Sequence, residues 1–574
     1  MLMKFLLVAV NAKYIHSNPA IYSLRAYAGK ELSAHVELAE YTINQQLQEI
    51  LADLYRRKPD VIGFSCYIWN WNMIQELLVE LPKVLPKTEI WLGGPEVSYD
   101  ADKILEKYPF LSGVMIGEGE ATFKEVLEYY VSREETAGTL DSIPGLYLRT
   151  GYTAPRALTD LSSIPFLYDD LSLFENRILY YETSRGCPYR CSYCLSSIDK
   201  AVRLRDMSVV KRELQFFLDN RVKQVKFVDR TFNCNHEHAM EIWGYIQEHD
   251  NGVTNFHFEI SADILREDEI ELLNSFRPGL AQLEIGVQSV NPETLKAIRR
   301  VMNVERLEKI VADIHRGQNI HQHLDLIAGL PYEDYESFRI SFNRVYGMKP
   351  EQLQLGFLKV LKGSEMCERA EEYGCVYLDR PPYEVLYTKW LSYEEVLMLK
   401  QIEEMVELYY NSGQFTRTLP VLEKAFESPF AMYEKLAEFY ENEGYFANSP
   451  ARAYRYHVLL EFAKSYDAEN LPLYRELLTY DMYLRENLKS RPEFAADLSG
   501  HKETIRSFYQ REEKERKYLP DYEGYDWKQL SRMTHLEPFC RILSGYVLFD
   551  YGSRNPLNYE AKVQVIQLSE SEGQ

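Results

Sequence analysis

Three cysteines stand close together in Cys187-Pro-Tyr-Arg-Cys191-Ser-Tyr-Cys194, at offsets of four and three. Thiolates are soft ligands, and a short loop can turn three of them toward one centre, which a regular helix or strand does less well. The spacing suits one compact iron-sulfur site, and a four-iron cube held by three cysteines keeps one iron open for a substrate or cofactor. A structural zinc or a plain electron-transfer cluster is the alternative reading of the same ligands. In either case the fold must bring a loop of thiols to a sheltered place. Residues 177–183 read as a strand, and Ser184-Arg185-Gly186 turns out of it into Cys187. An α/β barrel puts its chemistry at that end of its strands.

Further polar residues follow in the same pattern. Residues 225–229 read as a strand ending in Asp229, and residues 255–259 as another ending in Glu259, with Ser261 just beyond. Residues 283–289 carry Glu284 and Gln288, and residues 325–331 carry Gly329. Taken singly, Glu259, Glu284 or Gln288 reads as a solvated loop residue or a helix cap. Their repeated placement at the ends of apolar runs, downstream of the cysteines, favours strand-tip sites in a barrel.

Ahead of the cysteines, apolar strands at residues 5–10, 61–65, 90–95 and 113–119 alternate with helical stripes at 19–32 and 74–81. Two of these strands break into glycine, at Gly93-Gly94-Pro95-Glu96 and at Gly117-Glu118-Gly119. This alternation predicts a doubly wound parallel sheet with its ligand site at the strand tips. Glycines there let backbone approach a large planar ligand, and they serve ordinary turns equally well. The first loop, with Asn11, Tyr14, His16 and Asn18, and the second, with Ser65, Cys66, Tyr67 and Trp69, are the other candidates to line that face. His16 by itself is more commonly a loop or packing residue than a metal ligand.

Prolines and small polar residues between 142 and 165 suit a connector. After about residue 391 the pattern turns to long helices, at 393–410, 451–466 and 473–488, with many tyrosines that read as packing residues. The charged run 511–517 reads as an exposed, ion-paired helix face. Residues 546–550 and 562–567 read as a short strand pair, and 569–574 as a frayed tail.

The length of 574 residues predicts several domains, and a hydrophobic content of 46% supplies their cores. A net charge of −22 disfavours a general nucleic-acid or anionic-membrane surface. No stretch is long and apolar enough for a membrane span, and the first apolar run continues into Asn11 and Lys13 without a cleavage-like region. Eight cysteines in so long a chain, three of them in one motif, argue against a disulfide scaffold and for a reducing cytoplasm.

The cysteine motif, with Tyr193 as the aromatic residue before its last cysteine, closely resembles the signature of the radical S-adenosylmethionine (SAM) superfamily. The glycine-tipped sheet ahead of it resembles the cobalamin-binding domain found in one branch of that superfamily. The resemblance implies an α/β chain with these parts: residues 1–140, a doubly wound Rossmann-like cobalamin-binding domain; 141–175, a connector; 176–390, a partial (β/α)6 TIM barrel; and 391–574, a mainly helical C-terminal region with a short terminal strand pair. It implies a [4Fe-4S] cluster on Cys187, Cys191 and Cys194, whose open iron is chelated by SAM for reductive cleavage, and an electron donor such as flavodoxin or ferredoxin. It implies SAM contacts from Tyr193, Asp229 (amino group), Glu259 and Ser261 (ribose), Gln288, and Gly329 (adenine side). Cobalamin contacts are implied for Asn11, Tyr14, His16, Ser65, Cys66, Gly93, Gly94, Pro95, Glu96, Gly117, Glu118 and Gly119. The usual Asp-x-His-x-x-Gly element is absent, so cobalamin without an axial protein histidine is implied. The activity implied first is methylation of an unactivated carbon of an unidentified substrate. Radical rearrangement, ring contraction or oxidative cyclisation, and a non-catalytic cobalamin or SAM sensor, are the other readings.

Overall fold

A computed structural model describes residues 3–132, 139–168, 170–199 and 201–567. The tail at 569–574 lies outside them. The chain divides into two units, one of Met1–Ile320, Ile327–Asp334 and Gly356–Tyr393, the other of His321–Leu326, Tyr335–Leu355 and Glu394–Gln574.

The first unit opens with β1 (Phe5–Asn11), β2 (Val36–Thr42), β3 (Val61–Ser65), β4 (Glu89–Gly93) and β5 (Gly113–Met115), followed by β6 (Leu146–Leu148) and β7 (Gly151–Tyr152). They form one sheet in the order β2-β1-β3-β4-β5-β6-β7, parallel through β5 and antiparallel beyond it. Every residue of β1 and β3 is buried, as expected of central parallel strands covered by helices on both faces. The strand order reverses between β1 and β3, the place where such sheets open a crevice for a ligand. Sequence patterning missed β2 and the helix Leu47–Arg57. It also read the start of the connector as irregular, whereas β6 and β7 extend the sheet. The stripe at 19–32 is two helices, Pro19–Tyr27 and Gly29–Ser33, divided where Gly29 takes φ +82°.

The cysteine loop follows β8 (Leu179–Tyr181), and β9 (Ser184–Arg185) pairs antiparallel with β10 (Arg203–Leu204) on either side of it. Next come β11 (Gln224–Phe227), β12 (Asn255–Ile260), β13 (Ala281–Gln288), β14 (His321–Ala328) and β15 (Gln352–Phe357). With β8 they form a six-stranded sheet ordered β15-β14-β13-β12-β11-β8, the succession expected of a partial six-unit barrel. The pairs β8–β11, β11–β12 and β12–β13 are parallel. Burial alternates along β12 and β13, so that Phe256, Phe258, Leu283 and Ile285 face a packed layer. The opposite face carries polar residues: Glu284 accepts from Lys226 Nζ at 2.9 Å and lies 3.0 Å from His257 Nε2. A small hairpin of β16 (Val376–Tyr377) and β17 (Val385–Tyr387) closes this unit.

In the second unit, helices at Tyr393–Met405, Pro429–Asn442, Arg455–Tyr466, Leu471–Arg485 and Lys502–Glu515 dominate. The expected strand pair, β19 (Gly545–Arg554) and β20 (Ala561–Ile566), is joined by β18 (Thr534–Phe539) into a three-stranded antiparallel sheet. The charged run at 511–517 is not wholly a solvated face: Glu512 is buried and accepts from the backbone amides of Tyr518 and Leu519 just past the helix end. Among the described residues no helix is long and apolar enough to cross a membrane.

Candidate functional site

Cys187 and Cys191 are buried and Cys194 half-buried, in the loop that β8 and the short β9 deliver. The amide of Ser192 bonds Ile298 O at 2.9 Å, and Tyr189 donates to Ser261 Oγ at 3.2 Å, which in turn donates to Asp263 at 2.9 Å. The loop is thus tied to two other segments at the barrel mouth. Arg300 reaches Cys191 Sγ at 3.9 Å and donates its other nitrogen to Gly286 O. Burial pushes the Cys191 thiol up, and the Arg300 guanidinium pulls it down. A cation beside the sulfur favours the thiolate needed for ligation. Thr231 Oγ1 is 3.6 Å from Cys187 Sγ.

Among the described residues, the only three His, Cys, Asp or Glu side chains with ligand atoms within 4.8 Å of one another are His236, Asp268 and Glu269. Three thiols on one loop with a half-buried cation beside them fit a cluster.

The residues named for SAM lie around this mouth in different states. Asp229 is buried, and its two oxygens accept from the amide and hydroxyl of Thr183 at 3.0 and 2.6 Å. Burial pushes its carboxyl up to about 6 against those bonds. Glu259 is half-buried, with Arg230 at 3.6 Å. Ser261 is buried in the chain from Tyr189, and Asn233 brackets its backbone from both sides at 2.9 Å. Gln288 ends β13 with φ +70°, its Oε1 buried without a partner, as are Arg300 Nε and Ser192 Oγ. Orphaned polar atoms of this kind fit a polar ligand at the mouth. Gly329 takes φ +85°, and a Cβ there would meet Val385 Cγ1 at 2.7 Å. Tyr193 is half-buried, and burial pushes its hydroxyl up.

The tips of the first sheet wall a cavity of about 430 Å³, lined in part by Ser65, Gly93, Gly94, Pro95, Gly117 and Gly119. Glu118 lines it too. A Cβ on Gly94, which takes φ +112°, would come within 2.4 Å of Cys66 O, whereas one on Gly117 would project into open space. These bare backbones and the crevice at the strand reversal fit the tail and edge of a large planar cofactor. Asn11, Tyr14, His16, Cys66 and Glu96 are not among the lining residues. Asn11 bonds Glu40 at 2.7 Å, His16 Nδ1 lies 2.6 Å from the Tyr180 hydroxyl, and Tyr14 is largely exposed. Cys66 is fully buried, and burial pushes its thiol up. Glu96 faces Lys362 and the Tyr383 hydroxyl; burial pushes its carboxyl up, against the pull of both.

A second cavity of about 510 Å³ shares Ile116, Gly117, Glu118 and Arg185 with the first and reaches Glu182, Gly186 and Arg230 at the barrel mouth. Arg185 is the shared wall. It bonds Glu182 at 2.9 and 2.8 Å and Glu120 at 2.8 Å, and approaches Glu118 at 3.4 Å. Burial pushes the Glu118 carboxyl up, but Arg203, the Thr159 amide and Arg185 hold it down at about 2. Sequence reasoning missed Arg185, Arg203, Arg300 and Lys362. Arg185 alone carried a signal, its place two residues before Cys187.

A family model described as B12 binding domain matches residues 6–127, Radical SAM superfamily matches 181–345, and Protein of unknown function (DUF4080) matches 371–550. The chain is 25% identical over 360 residues to the cobalamin-dependent radical SAM methyltransferase TokK of Streptomyces tokunonensis, covering 56% of this chain and 51% of that one. It thus spans about half the length of that curated relative. Two solved structures share its fold. The radical SAM methyltransferase TsrM of Kitasatospora setae, with cobalamin and a [4Fe-4S] cluster bound, aligns at TM-score 0.54 and 18% identity over 67% of this chain and 79% of that one. The cobalamin-dependent SAM radical enzyme OxsB, with aqua-cobalamin and SAM bound, aligns at TM-score 0.58 and 15% identity over 83% and 80%. The chain carries a radical SAM domain over residues 181–345 with a B12-binding domain ahead of it, over residues 6–127.

Proposed function

We propose that this chain is a cobalamin-dependent radical SAM enzyme that methylates an unactivated carbon. The observation that carries the reading is the shared wall: the glycine tips of the sheet and the mouth of the barrel line two cavities that meet at Ile116, Gly117, Glu118 and Arg185. A chemistry divided between two cofactors needs both beside one substrate in a sheltered space. The curated relative TokK is itself named a methyltransferase.

When bound, the cluster with SAM supplies hydrogen abstraction and cobalamin supplies methyl carriage. Cys187, Cys191 and Cys194 hold the cluster, and Arg300 stabilises the thiolate of Cys191. Glu259, Ser261 and Gln288 offer polar atoms to SAM, with Tyr193 and Gly329 beside it. Asp229 accepts one bond from Thr183 at each oxygen, which orients the carboxylate and leaves a lone pair on each oxygen for the SAM amino group. Ser65, Gly93, Gly94, Pro95, Gly117 and Gly119 form the cobalamin cradle. Reduction comes from a donor such as flavodoxin or ferredoxin, and eight cysteines in so long a chain suit a reducing cytoplasm.

The test is anaerobic incubation of reconstituted protein with methyl-labelled SAM, cobalamin, reductant and native-cell extract, followed by untargeted mass analysis. Label in a new product supports methylation. A product formed with deoxyadenosine but without label refutes methyl transfer and leaves a radical enzyme.

A further inference from the structure

Glu96 lies in the glycine loop after β4, yet it turns away from the cavity and is only 6% exposed. A carboxylate buried to that degree needs partners, and they come from a distant part of the chain. The Tyr383 hydroxyl donates to Glu96 Oε1. Lys362 Nζ lies 3.1 Å from the same oxygen and 2.8 Å from Asp100 Oδ2, and it stands 5.3 Å from the centre of the Tyr383 ring. Gly363 lies against the Tyr99 ring so closely that a Cβ would come within 2.3 Å of it. Asn72 donates to Pro381 O at 3.3 Å. Tyr383 itself holds φ +55°, an unfavourable conformation for a bulky residue, and its surroundings maintain it.

The loop gripped in this way carries Gly94, Pro95, Ser98 and Tyr99, all of which line the 430 Å³ cavity. Its backbone is otherwise held by few bonds, among them Glu96 N to Cys66 O at 3.4 Å and Val97 N to Gly94 O at 3.3 Å. We propose that Lys362 and Tyr383 are positioning residues for cobalamin, clasping Glu96 and Asp100 so that the loop keeps the shape of the cradle. This rests on the reading that the cavity takes cobalamin. It assigns a task to Tyr383, which lies inside the stretch matched by the family of unknown function. A loop that is competent for only part of the time lowers affinity by that fraction.

The test uses the full-length protein, with hydroxocobalamin binding followed by absorbance and backbone hydrogen exchange followed over residues 94–100. Tyr383→Phe removes one hydroxyl and is expected to raise Kd about three- to tenfold, the effect of one ordinary hydrogen bond lost. Lys362→Met removes the cation that Glu96 and Asp100 share and is expected to weaken binding further, while Lys362→Arg restores it. Both weakened variants are expected to exchange faster over 94–100 without cobalamin, with reconstituted iron content equal to wild type. Wild-type Kd and unchanged exchange in both would overturn the proposal. If the unaltered protein binds no hydroxocobalamin, the cofactor reading falls and so does the assigned role. Faster exchange in the variants would then show that the clasp exists without that ligand.

Discussion

Replacing Arg185 by methionine tests whether the junction between sheet and barrel depends on charge. The side chain of Arg185 is 23% exposed and that of Glu120 only 7%. Methionine keeps much of the stem's packing but removes the guanidinium from Glu182, Glu120 and Glu118. Glu120 is then left with Ser23 Oγ at 3.5 Å, a weak remaining partner for a buried charge. Breaking a buried pair from one side costs about 3–5 kcal/mol, and the partial exposure of Arg185 brings the expectation to about 2–3 kcal/mol. For a unit of this size, ~2 °C of melting temperature corresponds to each kcal/mol, so the first calorimetric transition of the cluster-free protein should fall by about 4–6 °C. Adding Glu120→Gln removes the stranded charge and should recover more than half of the loss. The two residues touch, so their effects should be strongly non-additive. A single variant that melts within ~1 °C of wild type, or a double variant that melts no higher than the single, would refute the electrostatic account.

Gly94→Ala must place a Cβ 2.4 Å from Cys66 O at φ +112°, and should cost about 2–4 kcal/mol and weaken hydroxocobalamin binding, read by thermal unfolding and absorbance titration. Alanine at Cys187, Cys191 and Cys194 together should abolish the about four irons per chain expected after anaerobic reconstitution; retention of the cluster spectrum would remove the triad as its ligand set. Asp229 titrates near 6 in the folded chain against an ordinary value of 3.8, so the folded state takes up the proton first. Its burden is therefore absent below about pH 4 and grows until about pH 6. Relative to Asp229→Asn, the wild type should lose about 3 kcal/mol of stability between those limits, measured by urea titration at several pH values. A difference that does not vary with pH would contradict the raised value.

Local chemistry makes much of this protein readable from its sequence. The cysteine spacing puts three soft donors on one loop whatever the rest of the chain does, so a candidate ligand set is readable from eight residues alone. The runs at β1, β3, β4 and β5 were legible because apolar strands that break into glycine carry their meaning within ten residues. Other features have no local signature. β2 has a mixed burial pattern at the sheet edge, so its residues lack the continuous apolar run of a central strand. Asp229 and Glu96 could be named as polar residues beside strand ends, but whether their oxygens stay open depends on Thr183, Lys362 and Tyr383. Glu96 and Tyr383 are 287 positions apart. Likewise, Arg300 meets Cys191 across 109 positions. A buried charge is settled by whichever partner the packed chain brings within about 3 Å, and that choice belongs to tertiary contact rather than to spacing along the sequence.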